Sequence, residues 1–204
     1  MAAPSTGLSR LKMVTFALEL ADREGLEAVS FRRLAEQFRV TPMALYHHVK
    51  DKAHLLAEMS ELFLSELQAP PPSRDWAGEL RRLLLSYLAA CARHRCGPEL
   101  MQVAPYDAPH ARRMGEALLD ILSRAGFKAA DAGRVLGQLT AFLTSRPRPA
   151  EEAGFNPWNT IDELGVELLV LGVQALARGQ KGKPGAVRRR GRDATRPGAH
   201  GKPR

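Results

Sequence analysis

The stretch from Ser30 to Lys52, SFRRLAEQFRVTPMALYHHVKDK, constrains the fold of this chain more than any other feature. Its spacing predicts two short helices joined by a tight turn. Leu34, Ala35 and Phe38 share one face of the first helix, and Val40 and Leu45 close a small core across the turn. Thr41-Pro42 opens the second helix. Thr41 is placed to accept hydrogen bonds from the first free backbone N–H groups, and Pro42 takes the first helical position, where a missing N–H costs nothing. Met43, Ala44, Tyr46, His47 and His48 are left facing outward, with Lys50 and Lys52 just beyond. Small, aromatic and cationic groups in that mixture suit a helix lying in a DNA major groove.

Between Ala17 and Leu56, the residues Gly25-Leu26, Ser30, Arg32, Leu34-Ala35, Val40, Leu45-Tyr46, His48-Val49, Lys52 and Leu55-Leu56 resemble the tetracycline-repressor (TetR) family of bacterial transcription regulators. A match spread over about forty residues is far more specific than a bare helix-turn-helix pattern. The LY-x-HVK run of the second helix points to the tetracycline-repressor branch. The resemblance implies an all-α protein, with an N-terminal helix-turn-helix DNA-binding domain and a C-terminal helical ligand-binding and dimerisation domain. On the matched positions it implies DNA contacts. Arg32 reaches a base or phosphate, and Thr41, Pro42, Met43 and Ala44 face base edges, where apolar groups can touch a thymine methyl. Tyr46 and His47 flank the groove, while His48 and Lys52 hold phosphates. A competing reading keeps Tyr46 and His48 as half-buried structural groups. One position departs from the family: Arg39 stands where a turn glycine is usual. A left-handed Arg is strained by roughly 1 kcal/mol, so a different backbone shape is expected there.

The net charge of +8 divides unevenly. Residues 181–204 hold nine Lys or Arg against Asp193 alone, which leaves 21 basic and 21 acidic residues in the rest of the chain. The charge therefore defines a Gly- and Pro-rich basic tail, expected to be disordered, that could add non-specific DNA affinity. Within the neutral remainder, Ser30 to Lys52 is locally positive: Arg32, Arg33, Arg39, Lys50 and Lys52 stand against Glu36 and Asp51. No run has the length and apolarity of a membrane span, and the N-terminus has no signal-peptide pattern, so a cytoplasmic protein is expected. Cys91 and Cys96 are expected to be reduced packing thiols.

Apolar spacing predicts helices over Leu8 to Glu24, Asp51 to about Leu67, Asp75 to about Arg95, Ala111 to Arg124 and Ala129 to about Ser145, with a short piece around Leu100 to Val103. The first should bury Leu11, Val14, Leu18 and Ala21. Ala69-Pro70-Pro71-Pro72-Ser73 divides the chain into a DNA-binding unit (1–68) and a helical unit (69–180). A last helix opens near Thr160 with capping-box spacing and ends near Gly179. Its stripe of Ile161, Leu164, Leu168, Leu171 and Ala175, together with Val166, Leu169, Val170, Val173 and Leu176, makes it apolar nearly all round. Such a helix needs cover on more than one side, and a second copy of the chain is the expected cover. Val135, Leu136, Leu139, Phe142 and Leu143 on the preceding helix are its natural companions.

For a small molecule, Leu83, Tyr87, Met101, Tyr106, Met114 and Phe142 are candidate lining residues, with Trp158 as a lid. The plain alternative for each is core. Ligand recognition in the tetracycline branch requires a metal-binding His and a Thr-Arg-Pro group after an HRxG element. His94-Arg95-Cys96-Gly97 supplies that element, but Met101 and Ala104-Pro105-Tyr106 occupy the later positions. Magnesium–tetracycline chemistry is therefore not expected, and a small apolar or aromatic effector fits better. No cofactor and no metal site is expected. Carboxylate pairs, phosphate loops and nucleophile elbows are missing from the sequence, so catalysis is not expected. The expected function is a ligand-responsive homodimeric repressor of a palindromic double-stranded DNA operator. The alternative is a constitutive or architectural DNA binder of the same fold.

Overall fold

The computed structural model describes residues 8–103, 108–144 and 162–181. Every regular element among them is helical: α1 (Arg10–Glu24), α2 (Phe31–Phe38), α3 (Pro42–Leu45), α4 (Lys52–Ser65), α5 (Trp76–Arg93), α6 (Gly97–Val103), α7 (Pro109–Arg124), α8 (Ala129–Thr144) and α9 (Glu163–Lys181), with a 3-10 turn at Leu26–Ala28. The expected helices are all present, with ends displaced by a few residues where fraying and capping decide them, while Thr160 and Ile161 at the expected start of the last helix lie outside the described residues.

The caps follow side-chain chemistry. Ser9, Ser30, Asp51 and Asp75 each accept a hydrogen bond from a backbone N–H three residues on, and so satisfy donors that a helix start leaves free. Thr41 makes no such bond. It caps α3 by extended backbone conformation (φ −75°, ψ 150°), and its carbonyl accepts the Ala44 N–H at 3.0 Å. The turn after α2 also differs from expectation, because Arg39 does adopt the left-handed conformation (φ 53°, ψ 43°). The Val40 N–H bonds the Ala35 carbonyl at 3.0 Å and the Arg39 N–H bonds the Glu36 carbonyl at 3.3 Å. These are the paired bonds of a Schellman ending, which offset the steric cost of a non-glycine residue there.

α1 packs on α4, on α2 and on the 3-10 turn, and buries Met13, Val14, Ala17, Leu18, Leu20 and Ala21. Leu11 is 64% exposed, so the buried stripe runs through Met13 instead. Leu34, Ala35, Leu45 and Val49 complete the small core beneath the two-helix turn, and Leu55 and Met59 of α4 seal it. α4 continues into the helical body and packs on α6 and α7. Its Phe63 is fully buried, with its ring against Gly97 at the start of α6. A Cβ on Gly97 would lie 2.5 Å from Phe63 Cε2. Gly97→Ala must therefore push α6 away from α4, and about 1–3 kcal/mol of destabilisation is expected in a urea titration.

Two polar staples fasten the body. Glu79 on α5, 1% exposed, receives both Nη groups of Arg124 at the end of α7, with the Nη1–Oε1 distance 2.8 Å. Arg124 Nη1 also donates to the Ser73 carbonyl at 2.7 Å, pinning the proline segment down. On the other side, Arg81 of α5 forks onto Glu167 of α9 at 2.5 and 2.6 Å. Cys91 is half-buried, Cys96 is buried, and both thiols are free. Burial raises both, Cys91 to about 11, which keeps them protonated. No described helix is long and apolar enough to cross a membrane.

Candidate nucleic-acid interface and cavity

α2 and α3 present one continuous outward face. Arg32 stands on it 83% exposed, with Glu36 a loose neighbour at 3.9 Å. Thr41, Pro42, Met43, Tyr46, His47, Lys50 and Lys52 are exposed, while Ala44 and His48 are half-buried. Leu45 and Val49 anchor this face from beneath. Arg33 is turned away from it and held bidentately by Glu24 at 2.6 and 2.9 Å. Arg39 is exposed beside the same turn.

Tyr46 is held in a way the sequence did not suggest. Its ring stacks on Phe31, with centroids 4.7 Å apart and planes 5° from parallel, while 47% of the residue stays exposed. The pairing joins the first residue of α2 to the end of α3. It fixes the direction of the phenol without burying its hydroxyl. Behind the helix pair, the Lys50 N–H donates to His54 Nδ1 at 3.1 Å and Asp51 Oδ1 accepts the His54 N–H at 2.7 Å. The connection from α3 to α4 is thereby locked, and Lys52 begins α4 at the edge of the cationic face.

A cavity of about 500 Å³ lies between the end of α4 and α5, α6, α7 and α8, with Leu64 of α4 in its wall. Of the residues expected to line it, Leu83, Tyr87, Met101 and Met114 do so. Phe142 does not: it faces outward on α8, 44% exposed, because Leu139, Leu143 and Thr144 take the inward side of that helix. Tyr106 and Trp158 lie outside the described residues, as does the tail from 182 to 204. Residues missed in sequence complete the wall: Leu64, Leu84, Leu118 and Leu136 among the large ones, and Gly115 on α7 with Gly133, Gly137 and Ala141 at four-residue spacing on α8, which leave room by having almost no side-chain volume. Four-residue spacing of small residues along a helix is the signal that could have found this wall. At one end Gln102 donates to the Thr144 carbonyl at 2.7 Å, and the Tyr87 hydroxyl donates to the Leu143 carbonyl at 3.0 Å. Burial pushes the Tyr87 hydroxyl far above its ordinary range, so it stays a neutral donor. Among the described residues, no Asp, Glu, Lys, Arg or His lines the cavity, and no group of three or more His, Cys, Asp or Glu is placed to hold a metal ion.

Both walls of the cavity nearest the head are bonded to α4. Ser60 Oγ donates to the Leu100 carbonyl of α6 at 3.1 Å. Glu61 accepts from the His110 and Ala111 N–H groups, capping an α7 start that has no side-chain cap of its own, and from His110 Nδ1 at 2.8 Å.

A helix pair with an outward cationic and aromatic face, set on a helical body with an apolar cavity, defines a helix-turn-helix protein. Residues 14–59 match the model of the bacterial regulatory proteins of the tetR family. The tetracycline repressor protein class E of Escherichia coli is 33% identical over 138 residues, which cover 66% of this chain and 65% of the repressor. The class C repressor of the same organism is 33% identical over 138 residues, covering 66% and 63%. The chain thus spans just under two thirds of the length of these relatives. Among solved structures, the Streptomyces coelicolor TetR family protein ActR in complex with (S)-DNPA is 25% identical with a TM-score of 0.66, covering 86% of this chain and all of that one. Over residues 14–59 the chain is thus similar to the bacterial regulatory proteins of the tetR family.

Proposed function

We propose that the chain is a ligand-responsive transcriptional repressor that grips a palindromic DNA operator as a homodimer and releases it when a small apolar or aromatic molecule enters the cavity. The observation that carries this reading is that one helix serves both sites. α4 seals the core under the α2–α3 face and is bonded, through Ser60 and Glu61, to the α6 and α7 walls of the cavity. A molecule that spreads those walls moves α4, and with it the recognition helix. Release requires that the ligand bind the spread state more tightly than the DNA-competent one. The names of the curated relatives, tetracycline repressor proteins, and the complex of ActR with (S)-DNPA support this reading.

In this reading residues 1–68 form the DNA-binding unit and 69–180 the ligand-binding and dimerisation unit. Arg32, Lys52 and His48 hold the duplex, Thr41, Pro42, Met43 and Ala44 read base edges, and Tyr46 and His47 flank them. Leu83, Tyr87, Met101 and Met114 contact the effector. The second copy covers α9, where Leu164, Leu168, Leu171 and Ala175 form an exposed row at spacings of four, three and four, with Leu168 63% exposed. Symmetry then places the two α3 helices about 34–36 Å apart, in consecutive major grooves.

Two substitutions separate the roles of the face. Lys52→Ala should weaken binding to every DNA sequence and shallow the slope of log affinity against log salt by roughly 0.9. Met43→Gln should instead change preference at individual base pairs by about 1–3 kcal/mol. Fluorescence-anisotropy titrations over a salt series and a library of single-base operator variants read both effects. Equal loss on random and operator DNA in both variants would contradict the assignment.

A further inference from the structure

At the joint between the head and the body, His94 follows the last residue of α5 with both ring nitrogens engaged. Nδ1 lies 2.7 Å from Asp22 Oδ2, on α1, and Nε2 lies 2.9 Å from Glu66 Oε1, at the end of α4. A carboxylate oxygen only accepts, so each nitrogen must carry a hydrogen, and the ring held this way is an imidazolium. The other groups around it reinforce the arrangement. Glu66 Oε2 takes Nε and Nη2 of Arg93 at 2.9 and 2.7 Å. Asp22 Oδ1 accepts the Cys96 N–H at 3.1 Å, where the chain turns into α6, and the Cys96 thiol faces the same carboxylate. The Phe63 ring closes the remaining side edge-on, with centroids 6.3 Å apart. His94 and Asp22 are 17% and 16% exposed, so water screens their attraction only in part.

We propose that His94 is a proton-dependent latch, a positioning residue that clamps α1 of the head to the α4–α5 junction when charged and releases it when neutral. Two carboxylates face two cations, Arg93 and His94, while the ring is protonated. Loss of the proton leaves one cation against two anions and sets a ring lone pair against a carboxylate oxygen within 3 Å. Partial burial pulls the ring toward its neutral form, but the hydrogen bonds to Asp22 and Glu66 outweigh it and the net shift is upward. A raised folded-state value means the stabilisation is complete below the unfolded value of about 6.5 and fades as pH rises through the folded value. The latch joins α1 to the body at a point distinct from the Ser60 and Glu61 bonds, and it operates whether or not DNA is the partner of the head.

The test is a histidine side-chain NMR titration of the full chain, assigned with His94→Asn, beside urea midpoints from pH 5.5 to 9. Expected are two N–H protons on the His94 ring at pH 7, titration above the ordinary value, and a urea midpoint that falls across the same interval. Asp22→Asn and Glu66→Gln, each able to keep one hydrogen bond, should lower the His94 titration point and flatten the pH dependence. A His94 ring neutral at pH 7, or a pH slope unchanged in both carboxamide variants, would overturn the proposal. Should His94→Asn fail to fold, the carboxamide variants still supply the assignment and the comparison.

Discussion

Arg124→Ala is expected to destabilise the folded chain by about 3–5 kcal/mol, the largest stability loss among single changes to a charged residue here. The reason is the partner it leaves behind. Glu79 is 1% exposed, and its two oxygens are bound by Arg124 and by the Ser73 N–H. With the guanidinium gone, a carboxylate remains in a site that solvent does not reach. Arg124 itself is 28% exposed at its outer edge, which places the expected loss in the lower half of the range. The Arg124 hydrogen bonds, against the opposing effect of burial, hold Glu79 down to about 2. A depressed carboxylate stabilises the fold above its unfolded value of about 4.3 and loses that contribution as pH falls toward 2. Wild-type urea midpoints should therefore decline on acidification below about pH 4.5, and the Arg124→Ala curve should be flatter there. A double variant, Glu79→Leu with Arg124→Met, should recover much of the loss, because an apolar pair needs no charge partner.

The second large effect concerns assembly. Leu168→Glu combined with Leu171→Glu is expected to leave the monomer folded and to weaken operator binding by about 10²–10⁴-fold, since each half-site must then bind alone. Both leucines are more than half exposed in the single chain, so the substitutions cost it little. In a dimer across α9 they would bury opposing carboxylates. Sedimentation equilibrium beside anisotropy titrations reads the outcome. A double variant that stays dimeric would move the interface elsewhere on the molecule.

The helices were legible in the sequence because amphipathic spacing and caps are local signals. Asp51 caps the helix it precedes, and Leu34, Ala35 and Leu45 form the core that their spacing implied, whereas Thr41 caps α3 without the side-chain hydrogen bond expected of it. What escaped reading is what depends on distant residues meeting. Glu79 and Arg124 are 45 positions apart, Asp22 and His94 are 72, and no periodicity links either pair. Tyr46 was visible as an outward aromatic, but its stacking on Phe31 needs the α2–α3 crossing geometry. Arg39 shows the reverse case. Its intrinsic cost argued against a left-handed turn, and two backbone hydrogen bonds at the end of α2 overrode that preference. In the cavity only Phe142 was misplaced among the described residues, and the small Gly133, Gly137 and Ala141 that help make its space went unread because large residues were sought.

The central claim is that two copies of this chain present their α3 helices to successive turns of one duplex and withdraw them when the cavity is filled. A nuclease footprint of the purified chain on the DNA flanking its own gene, repeated with a panel of neutral aromatic compounds, tests it most directly. Expected is protection of two inverted half-sites about 10 bp apart centre to centre, lost on addition of a compound that also binds the free protein. Uniform protection of unrelated DNA, or a protected site that no cavity-binding compound can clear, would contradict it.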